Sequence, residues 1–232
     1  MASRAGTLWV LGYGSLMWNP GFAFASQSIA RLNGYHRALC IYSTHYRGTL
    51  ARPGLVFGLD RGGVCDGVAF EVAADSAGAV LAALRQRELI YGVYREARVP
   101  VTLLTPEPRT IDAITYIAER AHPNFAGSVD AARQACIIRG AKGRSGTNLA
   151  YVINTLKHMQ TLGLRDRTIE RIGQMSSAFA RRAELTDNGE AARITSLSTA
   201  WRHGRGAGSA LRPADQSRFQ HRAALGRIAP PL

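Results

Sequence analysis

Glu88 is the residue in this 232-residue sequence whose type and setting best suit acid–base chemistry. Helical spacing after Ser76 puts Val80, Leu81 and Leu84 on one apolar stripe, and Glu88 falls four residues after Leu84 and seven after Leu81. Arg85, Gln86 and Arg87 supply the polar side of the same helix. A carboxylate on the apolar stripe near a helix C-terminus meets both desolvation and the negative end of the helix dipole, and each raises its pKa. A glutamate tuned in this way can accept a proton near neutral pH and then return it. The same spacing also admits a plainer arrangement, a frayed helix end with Glu88 paired to an arginine at the surface.

A second group lies in Gly12-Tyr13-Gly14-Ser15-Leu16-Met17-Trp18, directly after the apolar run Trp9-Val10-Leu11. Two glycines one residue apart at a strand end permit a tight turn that exposes backbone N–H groups. Such a loop can hold a carboxylate or a carbonyl oxygen. It is not a dinucleotide fingerprint, because Met17 stands where a third glycine would fall and Asn19-Pro20-Gly21 makes another turn where a helix would have to begin. The stretch 140–146 contains three glycines but lacks the Gly-Lys-Ser/Thr spacing of a phosphate loop.

The remaining polar candidates carry less. His36, His45, His122, His158, His203 and His221 form no HExxH or HxH pattern, so the sequence predicts no metal site. Ser15 and Ser43 have no GxSxG elbow around them, which disfavours a serine hydrolase. His45 sits in Tyr42-Ser-Thr-His-Tyr-Arg-Gly-Thr49, a polar loop able to line a pocket.

These residues need a scaffold. Runs rich in β-branched and aromatic residues at 8–11, 38–42, 55–59, 64–72, 98–104 and 113–118 read as strands punctuated by Gly, Pro, Asn or Asp. In 64–72 the alternation Val64, Asp66, Val68, Phe70, Val72 predicts one well-buried face. A helix capped by Asp75 or Ser76 runs to about Ile90, and three more are expected at 130–139, 147–162 and 166 to about 182. Strands first and helices last make an α+β domain, not alternating βαβ units. The domain is placed at 1–183. Residues 184–232 lose all periodicity and read as a basic, partly disordered tail in which Trp201 and Phe219 stand out.

Composition bounds the rest. A chain with 46% hydrophobic and 19% charged residues can build a sizeable core. No run approaches the length of a membrane span, and Met1 to Thr7 lacks the apolar core of a secretory signal, so a cytoplasmic protein is expected. Cys40, Cys65 and Cys136 are odd in number and dispersed, which suits buried thiols in a reducing compartment. The net charge of +13 comes mainly from scattered arginines, with nine arginines against four acidic residues after residue 180. No block of five or six like charges occurs, so nucleic acid is not an expected partner.

The loop and the glutamate together resemble the γ-glutamylcyclotransferase superfamily, whose YGSL signature matches Tyr13-Gly-Ser-Leu16. Trp18 and the Tyr42 to Gly48 loop are similar to its ChaC branch, which acts on glutathione. The likeness continues in order through Arg52-Pro-Gly54, Val68-Ala-Phe70, Arg87-Glu-Leu89, Tyr94-Arg95, Tyr116 and Gly143-Arg-Ser-Gly-Thr-Asn-Leu-Ala-Tyr151, spanning about residues 8–180. The chain departs from the branch at Leu89, where members commonly carry lysine.

The resemblance implies a small mixed β-barrel with flanking helices, Glu88 as the catalytic acid/base, and a substrate site that includes Tyr13, Gly14, Ser15, Leu16, Arg47, Tyr94 and Tyr151. It implies cyclisation of the γ-glutamyl group of glutathione to 5-oxoproline with release of cysteinylglycine, with Arg47 and Arg37 as candidates to meet glutathione's carboxylates, and no cofactor. Two rival readings are an enzyme of the same fold for another γ-glutamyl-amino acid or γ-glutamylamine, and a non-catalytic regulatory or binding protein.

Overall fold

The computed structural model describes residues 7–178, so the expected tail at 184–232 and the end of the last predicted helix lie outside the described residues. Five strands close a barrel in the order β1-β3-β2-β4-β5: β1 (Leu8–Gly12), β2 (Ser26–Ser43), β3 (Gly54–Val72), β4 (Tyr94–Leu103) and β5 (Arg109–Ala118). Every pairing is antiparallel except β1 with β5, where Val10 sits opposite Ile114 in a parallel pair that closes the barrel. The expected mixed β-barrel is therefore present, within an α+β architecture.

Each residue of β1 is buried, because both of its faces are covered. Trp9 and Leu11 join the main core with Leu32, Leu59, Ala69, Val101 and Ala113, a set drawn from all five strands that fills the barrel. Leu8 and Val10 face the other way onto Val80 and Leu84 of α1 (Ala77–Glu88). Burying a leucine such as Leu84 contributes about 2 kcal/mol, and this contact fixes how α1 lies on the barrel.

The strands at 55–59 and 64–72 are one strand, not two, and the run at 38–42 is the end of the 18-residue β2. Register shifts between Asn33 and Tyr35 and between Ala38 and Ile41 mark bulges that let this long hairpin bend around the barrel. The expected single buried face at 64–72 also fails. Val64 is exposed, whereas residues 67–70 are buried on both faces. Cys65 and Ala69 point into the barrel while Val68 and Phe70 are covered by Met17, Met159 and Leu164.

Two further helices follow, α2 (Ala131–Gly140) and α3 (Asn148–Thr161), separated by a small hairpin of β6 (Lys142–Gly143) and β7 (Gly146–Thr147). The Asp130 carboxylate accepts from Arg133 N and the Thr147 hydroxyl accepts from Ala150 N, so both helices have side-chain caps. α1 has none, contrary to expectation: the Ser76 hydroxyl donates to Asp75 instead. A fourth helix, α4, occupies 167–178 of the described residues. Ile138, Val152, Leu156, Ile169 and Ile172 carry the barrel core outward into α2, α3 and α4.

Cys40 and Cys65 are buried as expected, but Cys136 faces solvent on α2. Among the described residues no helix is long and apolar enough to cross a membrane.

Candidate active site

At the end of β1 the chain turns into a 3₁₀ turn, Ser15–Met17, whose Met17 N–H donates to Gly14 O. Gly12 is needed for this turn, since a Cβ there would lie 2.9 Å from Leu16 Cβ. Gly14, Ser15 and Leu16 head the turn, where backbone N–H groups have no partner within the helix. The Tyr13 side chain runs inward instead, and its hydroxyl donates to Tyr116 O at 2.8 Å.

Glu88 is the last residue of α1 and continues the stripe of Val80 and Leu84, as the spacing predicts. Its side chain is only 17% exposed, so it does not sit on the surface, although it does pair with an arginine: Arg87 Nε lies 3.0 Å from Glu88 Oε1. Burial raises the Glu88 pKa above its ordinary value of 4.5, and the Arg87 charge pulls it partly back. A pocket of about 280 Å³, counted with its open mouth, is lined by Tyr13, Gly14, Ser15, Leu16, Glu88 and Tyr116. The carboxylate and the glycine loop thus share one cavity.

Arg87 is the residue that spacing alone failed to single out. Its Nη1 donates to Asn19 O and Pro20 O, and its Nη2 donates to Ser15 Oγ at 3.1 Å. One guanidinium therefore ties the loop to the acid/base candidate. Tyr116 was also missed as a lining residue. It comes from β5, and only barrel closure places it beside Tyr13.

Tyr94 and Tyr151 stand beside Glu88 without lining the pocket. Both attach to Phe57 of β3: Tyr94 donates its hydroxyl proton to Phe57 O at 2.7 Å, and Phe57 N donates to the Tyr151 oxygen at 3.3 Å. Burial keeps these phenols and that of Tyr13 protonated, with the Tyr151 pKa pushed up to about 12, and the nearby negative charge of Glu88 acts in the same direction. Arg47 lies over the Tyr151 ring at 5.2 Å and donates through Nη1 to Ser145 O.

Arg37 is not in the pocket. Its side chain is 3% exposed, and it donates to Tyr13 O and Asp66 O and pairs with Asp166 at 3.6 Å. It is a buried clamp behind the loop, not a surface cation awaiting a carboxylate. Among the described residues no three His, Cys, Asp or Glu side chains gather as a metal site.

A family model described as ChaC-like protein matches residues 8–178. The chain belongs to the ChaC-like family. Across 161 residues this ChaC-like chain is 35% identical to the glutathione-specific γ-glutamylcyclotransferase of Escherichia coli, covering 69% of each protein. It is 31% identical over 186 residues to the enzyme of the same name from Schizosaccharomyces pombe, covering 72% of this chain and 90% of that one. Its fold is similar to the crystal structure of a yeast γ-glutamyl cyclotransferase specific to glutathione, with a TM-score of 0.70 at 21% identity, over 75% of this chain and 97% of that one.

Proposed function

We propose that this ChaC-like chain is a glutathione-specific γ-glutamylcyclotransferase, with Glu88 as its acid/base. The observation that carries the reading is the shared cavity: a largely buried carboxylate with a raised pKa faces the Tyr13 to Leu16 loop. Relatives that bear this activity in their names support the choice of glutathione.

The substrate's own α-amine attacks its γ-carbonyl carbon. A C–N bond forms, closing a five-membered lactam, and the isopeptide C–N bond breaks. The amine is mostly protonated near neutral pH, so Glu88 takes a proton to free its lone pair. The departing cysteinylglycine nitrogen needs a proton, and Glu88 returns the one it holds; the second proton, which the attacking nitrogen sheds as it becomes the lactam N–H, passes to solvent or to the freed amine. The products are 5-oxoproline and cysteinylglycine, with no water consumed. Because the nucleophile is tethered to its target, selecting the folded-back conformer supplies much of the acceleration and no cofactor is required.

The backbone N–H groups of Gly14, Ser15 and Leu16 hold a substrate oxygen, and Tyr13 supports the loop from beneath. Tyr94 and Tyr151 back the site behind its lining, close enough to feel the Glu88 charge, and Arg47 covers the Tyr151 ring. The two buried cysteines and the use of glutathione support a cytoplasmic location.

The test is incubation of the purified full-length chain with reduced glutathione, following both products by mass spectrometry beside Glu88→Gln. Stoichiometric 5-oxoproline and cysteinylglycine from wild type, with a loss of at least about a hundredfold in the variant, support the reading. A well-folded Glu88→Gln that keeps its activity sinks the mechanism. An inactive wild type sinks glutathione as substrate and moves the test to other γ-glutamyl compounds.

A further inference from the structure

Large apolar side chains on the surface are usually scattered, but two of them here touch. Tyr46 is 43% exposed and Tyr91 is 46% exposed, with ring centroids 6.0 Å apart. His45 completes the group at 5.0 Å from Tyr46 and 6.2 Å from Tyr91. The partners come from separate segments, the β2–β3 connection at 44–53 and the α1–β4 connection at 89–93. Each segment leads back to the site through the chain. Tyr91 stands three residues beyond Glu88, and Tyr46 adjoins Arg47, which covers the Tyr151 ring.

A cation adjoins this group. Arg144 is exposed at the tip of the β6–β7 hairpin, and it acts electrostatically on the Tyr91 phenol. Its guanidinium makes no ion pair or hydrogen bond with any described residue. Its backbone, by contrast, is pinned. Arg144 N donates to His45 O and Ser145 N donates to Tyr46 O, each at 2.9 Å. Gly143 approaches the same loop so closely that a Cβ would lie 2.5 Å from His45 O and from the Tyr46 carbonyl carbon. The hairpin therefore presents Arg144 in a fixed place while leaving its charge unpaired among the described residues.

The cavity beside Glu88 takes the γ-glutamyl half, so the other half of the substrate must lie outside it. That half is a thiol-bearing dipeptide ending in a carboxylate, and two extended residues reach about 7 Å. Aromatic faces suit its peptide group and sulfur, and an arginine with no partner among the described residues suits its terminal carboxylate. Arg47 serves this less well, because its guanidinium is already engaged by Ser145 O and Tyr151. We infer that Arg144, beside the Tyr46–Tyr91 pair, is the subsite for the terminal carboxylate of the leaving dipeptide. The inference rests on the cyclotransferase reading.

The test compares glutathione with its glycine monoethyl ester, which keeps the reacting centre and removes the terminal charge. For wild type, kcat/KM for the ester is expected to be about tenfold lower than for glutathione, the size of one charge-assisted hydrogen bond. Arg144→Ala is expected to lower kcat/KM for glutathione about tenfold, through KM, and to treat acid and ester alike. Arg144→Lys restores part of the preference. Calorimetric binding of glutathione and its ester to Glu88→Gln, with and without Arg144→Ala, reads the same discrimination without turnover. Equal use of acid and ester by an active wild type overturns the subsite and leaves the cyclotransferase reading standing. A wild type that makes no 5-oxoproline from either compound overturns both.

Discussion

Arg87 Nη2 donates to Ser15 Oγ at 3.1 Å across 72 positions of sequence, while the Nε of the same side chain lies 3.0 Å from Glu88 Oε1. The loop after β1 and the last turn of α1 are thus coupled through one guanidinium. Arg87 holds the loop in place and also opposes the rise in the Glu88 pKa.

Replacing Arg87 with glutamine therefore moves two observables. Without the cation, burial raises the Glu88 pKa unopposed, so the acid limb of the kcat/KM profile shifts to higher pH. The loss of the donors to Ser15, Asn19 and Pro20 loosens the loop and raises KM. A pH–rate profile that superimposes on wild type would rule out this role for Arg87.

Glu88 also leaves a signature in stability. Its carboxyl is ordinary in the unfolded chain, near 4.5, and raised in the native one. Below 4.5 it is protonated in both states and contributes nothing. As pH rises from 4.5 to the native pKa, the unfolded chain ionises first, so the native state loses stability; above the native pKa that loss is complete and constant. Glu88→Gln lacks this penalty. Thermal melts across that window should show the variant gaining on wild type with rising pH and then levelling off. A constant difference from pH 4 upward would show that Glu88 is not buried as described.

Arg37 should behave as a structural residue. Replacement by methionine strands the carbonyls of Tyr13 and Asp66 behind the loop and removes the cation paired with the partly exposed Asp166. Breaking such a buried set from one side costs about 3 kcal/mol. Denaturant unfolding checks this, and a loss under about 1 kcal/mol would contradict the clamp.

Local periodicity alone located much of this protein. The 3.6-residue stripe of Val80 and Leu84 carried through to Glu88, Asp130 and Thr147 marked two helix starts, and the apolar run after Thr7 marked β1. These features depend on neighbours a few residues apart, which a sequence displays directly. Closure of the barrel decided the rest. It merged two short apolar runs into β3 and buried both faces at 67–70 by covering the outer one with α3 and the segment after it. It brought Tyr116 to within a hydrogen bond of Tyr13, 103 positions away, and buried Arg37 behind the same loop. It also set Arg87 against Ser15, turning what spacing gives as polar helix surface into the link between loop and carboxylate. Contacts of this separation leave no periodic trace, because they arise only when strand pairing has fixed which distant segments meet.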